Sequence, residues 1–191
     1  MNSELQFYKR QRGFYKMKNN KEFYEIIEDI ITNSMVLELK NHLQHCSTSR
    51  FEHCANVAYY TYKICKKLNL DYVSATRGAM LHDFYFYNWR VRQNNRKRFH
   101  AFRHPRIALE NAKTEFLLNP KERDVIRKHM WPLTIKFPKY LESFIVTWVD
   151  KYCATLEFFK YMKNRKELKY LKMKELTKLY LPEPSEMNRI I

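Results

Sequence analysis

Glycine is nearly missing from this chain, with Gly13 and Gly78 the only two in 191 residues. Tight hairpin turns need residues that accept positive φ, so an architecture of many β-hairpins is excluded and helices are favoured. Long apolar runs are missing too. The most prominent, Phe144 to Val149, stops at Asp150, well short of the roughly 18 to 20 residues a membrane-spanning helix needs, so no membrane insertion is expected. The four cysteines, Cys46, Cys54, Cys65 and Cys153, form no CxxC pair, and the chain does not open on a basic region, an apolar stretch and a small-residue cleavage site. They read as reduced thiols in a cytoplasmic protein.

Positive charge, by contrast, is abundant: 36 Lys and Arg against 20 Asp and Glu give +16. Such a field concentrates nucleic acid, anionic membrane or phosphorylated metabolite alike, and a compositional bias toward lysine, asparagine, tyrosine and isoleucine accounts for part of it. Charge therefore does not choose the partner. The length suits one compact domain. We divide the chain into a basic N-terminal arm (1–20), an all-α domain forming a single compact helical bundle (21–160) and a basic C-terminal helical extension packed on it (161–191).

Periodicity predicts a first helix from about Lys21 to His42 with Phe23, Ile26, Ile27, Ile30, Ile31, Val36 and Leu39 inward. Ser49 reads as the N-cap of a helix whose inner stripe is His53, Val57, Tyr60, Ile64 and Leu68. A third helix from about Asp71 carries Ala75, Ala79 and His82, with Gly78 permitting close helix approach. Pro105 is read as the first residue of the next helix, facing inward through Ala108, Ala112 and Phe116. Asn119-Pro120-Lys121-Glu122 is a capping-box start for a short helix reaching His129, and Pro138 opens a long helix through Phe159. Between Trp89 and Phe99 lies loop composition rich in arginine.

The histidines and carboxylates carry the chemistry. His53, His82-Asp83, His104, His129 and Asp150 follow one another at intervals of roughly 20 to 30 residues, about one helix plus one turn each, so successive helices deliver them to a common centre. A single inward histidine is usually a hydrogen-bonded core residue. Asp150 is different: it ends an apolar run and shares a helix face with Val146 and Cys153, where a buried carboxylate is costly without a cation. Mixed imidazole and carboxylate donors suit iron or manganese, with zinc, cobalt or magnesium as further candidates, better than calcium. His42 and His45 lack such placement, while His100 is a candidate substrate contact.

The order His53, His82-Asp83, Asp150 resembles the H...HD...D signature of the HD superfamily, and His104 and His129 resemble the additions of its six-ligand, two-metal subgroup. The resemblance spans roughly Ser49 to Glu157, through the segments RFEHCANVAYY, RGAMLHDFYFYNWR, HAFRHPRIALENA, HMWPLT and VDKYCATLE. It implies a helical metal-dependent phosphohydrolase with two divalent ions. His53, His82, Asp83 and Asp150 would hold one ion, and His104, His129 and a bridging Asp83 the other. No GYP motif follows the HD pair, and the HD-plus-ED pattern of alarmone hydrolases is missing.

The expected activity is hydrolysis of a phosphoester or phosphoanhydride in a nucleotide or related metabolite, by a metal-activated water held at Asp83. Arg77, Arg90 and Lys151 are the candidate phosphate contacts, joined by Arg103 and His100 on the substrate side. Two other readings stay open. One is a di-iron oxygenase on the same ligand set. The other is a basic nucleic-acid-binding module using Arg90 to Arg106 and Lys163 to Lys178, which predicts affinity that falls steeply with salt but gives no reason for the inward histidines.

Overall fold

A computed structural model describes residues 20–45, 48–87 and 100–180. Seven α-helices run through them: α1 (Lys21–Thr32), α2 (Ser34–Glu38), α3 (Arg50–Lys67), α4 (Tyr72–Leu81), α5 (His100–Glu115), α6 (Pro120–Lys128) and α7 (Leu141–Tyr180). A 3₁₀ turn at Leu39–Asn41 leads into a small antiparallel ribbon of β1 (Leu43–His45) and β2 (Thr48–Ser49) just before α3. The all-α architecture is thus present, and no helix among the described residues is long and apolar enough to cross a membrane.

Helix α4 is the hub, touching α1, α3, α5, α6 and α7. Small residues make this possible. Ala75, Gly78 and Ala79 are buried on α4, and a Cβ added at Gly78 would come within 2.9 Å of Val125 Cβ on α6. Asp71 caps α4 through the Ser74 amide. Ser49 and Glu52 form a capping box on α3, as do Asn119 and Glu122 on α6, so the local signals at these starts agree with the fold.

Four boundaries or faces differ from the sequence reading. The first helix does not continue to His42, because Asn33 turns extended and its side chain accepts from the amides of Met35 and Val36, starting a new helix. The stripe on α3 is shifted: Tyr60, Ile64 and Leu68 are exposed, while Cys54, Ala58, Thr61 and Cys65 are buried. These small side chains let α4 come close. Helix α5 begins at His100, five residues before Pro105, whose missing N–H only forgoes one bond to Ala101. Finally, the long helix does not end at Phe159 but runs unbroken to Tyr180, and residues 165–173 are all exposed, so this part of the 161–191 extension is not packed on the domain. The 1–20 arm, apart from Asn20, and residues 181–191 lie outside the described residues.

Candidate metal centre

Each of the six sequence-predicted ligands sits at or near a helix end or deep on a buried face. His53 lies in the first turn of α3, His82 is the C-cap of α4 with Asp83 next, His104 is in the early turns of α5, His129 is the C-cap of α6, and Asp150 lies on α7. All six are buried, the most exposed being Asp150 at 8%.

The structure brings them together. His53 Nε2 is 3.0 Å and His82 Nε2 3.7 Å from Asp150 Oδ1. Asp83 Oδ2 is 3.6 Å from His82 Nε2, while Asp83 Oδ1 is 3.1 Å from His104 Nε2 and 3.6 Å from His129 Nε2. Three overlapping trios place their ligand atoms within 4.8 Å of one another: His53, His82 and Asp83; His82, His129 and Asp150; and Asp83, His104 and His129. These groups can hold a metal ion.

The other ring nitrogens explain why. His82 Nδ1 is 2.7 Å from the Ala79 carbonyl, His104 Nδ1 3.0 Å from that of His100, and His129 Nδ1 2.9 Å from that of Ile126. His53 Nδ1 lies 3.1 Å from the Glu157 carboxylate. Carbonyls and carboxylates only accept, so each Nδ1 carries a hydrogen, and each ring, once neutral, presents its Nε2 lone pair to the centre. This is the outer hydrogen bonding that orients histidine ligands of metals.

A cation fits these residues on two further counts. His104 Nε2 and His129 Nε2 stand 2.8 Å apart with both Nδ1 hydrogens already committed. Two lone pairs at that distance repel unless a proton or metal ion lies against them. His82 Nε2 and Asp83 Oδ1 are also buried without a hydrogen-bond partner, a costly state that coordination relieves.

Charge follows the same geometry. Burial opposes protonation of His53, but the hydrogen bonds and charges of Asp150 and Glu157 override it and lift the ring to about 10. Burial likewise disfavours the charged His82 ring, yet Asp83 pulls its pKa well up. Asp83 and Asp150 resist burial through their histidine neighbours and stay well below the carboxylate range. His129 moves oppositely: burial, then the charges of His82 and His104, push it down to about 3.

The remaining candidates separate clearly. Arg77 does not serve the centre, because its guanidinium is clamped by Asp29 at 2.6 and 2.8 Å, Glu122 at 3.0 Å and the Ile26 carbonyl, tying α1, α4 and α6 together. Arg77 stands five residues before His82, which at about 100° per residue turns it roughly 140° around α4 from that ring. Lys151 borders the centre, its ammonium donating to the carbonyls of His129 and Thr147, and burial lowers its pKa. His100 stacks on His104 at 4.6 Å and pairs with the Tyr87 hydroxyl at 2.9 Å; burial, then His104, push it down to about 4. Arg103 is exposed one residue before His104. Arg90 lies outside the described residues.

Three buried groups near the centre escaped the sequence reading. Glu157, which orients His53, is two helical turns after Asp150 on the face shared with Cys153, and that spacing was a usable signal. Gln44 donates to Asp83 Oδ2, and Arg50 donates to Gln44 Oε1 at 2.8 Å. Comparison with family models, curated proteins and solved structures finds no match to this chain.

Proposed function

We propose that this chain is an HD-type metal-dependent phosphohydrolase that cleaves a phosphoester or phosphoanhydride of a nucleotide or related phosphorylated metabolite. The observation that carries the reading is the common locking of four imidazoles: each Nδ1–H is committed to a carbonyl or carboxylate, and each Nε2 faces Asp83 or Asp150. The order of the ligands along successive helices supports the HD assignment.

His53, His82, Asp83 and Asp150 would hold one ion, and His104, His129 and Asp83 a second, with iron or manganese suiting the donors best. Such ions supply Lewis acidity that activates water and offsets charge on a phosphoryl group. The chain does the positioning. Asp83 offers one oxygen to each side of the cluster, and Glu157 holds the His53 ring in place. Lys151 sets positive charge beside Asp150 on the flank of the centre, where an anionic group gains most from it. His100, stacked on His104 and paired with the Tyr87 hydroxyl, is the substrate-side candidate on that half of the centre.

The test is elemental analysis of protein purified without chelator, then a screen of nucleotides and phosphoesters with the metal found, run with and without oxygen. We expect about two transition-metal ions per chain and phosphate release that is indifferent to oxygen. Protein that holds no metal sinks the reading, and turnover only in oxygen assigns the site to oxygenase chemistry instead.

A further inference from the structure

Arg50 is the largest side chain fully buried among the described residues, and no carboxylate is its direct partner there. Its guanidinium lies 3.6 Å over the Tyr85 ring and donates to the Tyr85 and Tyr87 carbonyls and, through Nε, to Gln44 Oε1. The Tyr85 hydroxyl donates to that same oxygen at 3.1 Å. Arginine has no acceptor, so the Gln44 amide can stand in only one orientation, with its NH₂ toward Asp83 Oδ2. The charge behind Gln44 polarises the amide and strengthens that donation.

The oxygen Gln44 holds is the one facing His82, and the free one, Oδ1, faces His104 and His129. Rotation of the carboxylate would exchange or mix these roles. We propose that Arg50 and Gln44 form a positioning device that fixes the rotation of Asp83, so that one oxygen serves each half of the cluster. The β1–β2 ribbon gains a purpose from this: it places Gln44 on β1 beside the centre, and the Arg50 amide anchors its base to the His42 carbonyl at 2.7 Å. The inference rests on the metal reading of the preceding section.

The device and that reading fail differently under Mn²⁺ titration by calorimetry, with electron paramagnetic resonance reporting whether two ions share a ligand. Gln44→Leu removes the donor. Gln44→Glu keeps an acceptor for Arg50 but turns an oxygen toward Asp83, so it decides the question if the leucine variant does not fold. In both, the first Mn²⁺ should bind within about threefold of wild type, the second about 10- to 100-fold more weakly, and the exchange-coupled signal should vanish while the metal-free melting temperature holds. Two ions bound with wild-type affinity and coupling overturn the device and leave the metal centre standing. Parallel weakening of both ions with a lowered melting temperature marks Gln44 as packing only and overturns it as well. Wild-type protein that takes up a single ion refutes the sharing of Asp83, and wild-type protein that takes up none refutes the metal reading itself.

Discussion

His53 and His129 are equally buried, belong to one cluster and are driven in opposite directions, the first to about 10 and the second to about 3. Burial presses both toward neutrality, so burial cannot be the difference. The neighbours are. His53 stands between Asp150 and Glu157, whereas His129 faces the rings of His82 and His104 and borrows its negative charge from Asp83. The half of the centre built by α3 and α7 is therefore made to hold positive charge, as a proton or as an ion. The half built by α5 and α6 keeps the His129 ring neutral, and it should fill last and empty first.

The severest way to break this contrast is Asp83→Ala, because the two oxygens of Asp83 face the two halves, Oδ2 toward His82 and Oδ1 toward His104 and His129. Hydrolysis should be abolished with the helical circular dichroism spectrum intact, and persistence of near-normal activity would show that the halves do not depend on it. His129→Ala is more selective. It should lower bound metal from about two ions toward one per chain, leaving the α3–α7 half loaded, as metal analysis of the purified variant would reveal.

Acidity sharpens the contrast without mutation. The folded pKa of His53, about 10, lies above the ordinary 6.5, so what it contributes to the stability of metal-free protein is complete below about 6.5 and is lost as pH rises toward 10. Metal must displace that same proton, so its affinity rises across the same window. Melting of metal-free protein should thus fall with pH while the added stabilisation by Mn²⁺ grows, and parallel profiles would remove His53 from the site.

The smallest effect concerns the spacing of the halves. Gly78→Ala forces a methyl against Val125 and strains the α4–α6 contact by about 1 to 3 kcal/mol. Alanine's helix propensity returns roughly 1 kcal/mol of that. A modest drop in melting temperature, with weaker binding of the second ion, is expected, and a rise would show that α6 can move aside.

The candidate ligands could be picked out from sequence because His53, His82, His104 and His129 each lie near a helix end, where capping signals and prolines punctuate the chain. Faces were less legible. On α3 the large residues Tyr60, Ile64 and Leu68 suggested an inner stripe, but closeness to α4 rewards small side chains instead, so Cys54, Ala58 and Cys65 go inside. Arg77 looked free because charge spacing along one strand of sequence says nothing of Asp29 and Glu122, which are 48 and 45 residues away. Gln44 was beyond reach for the same reason: its partner is 39 residues distant, and a three-residue strand has no periodicity to read.

The unbroken course of α7 makes the chain tolerant of length change in one place and intolerant in another. Asp150 and Glu157 reach His53 from the same helix, seven residues apart. One residue inserted between them turns Glu157 by about 100° away from the ring it holds. The same insertion within 165–173 leaves that seven-residue interval untouched and falls where every side chain is exposed.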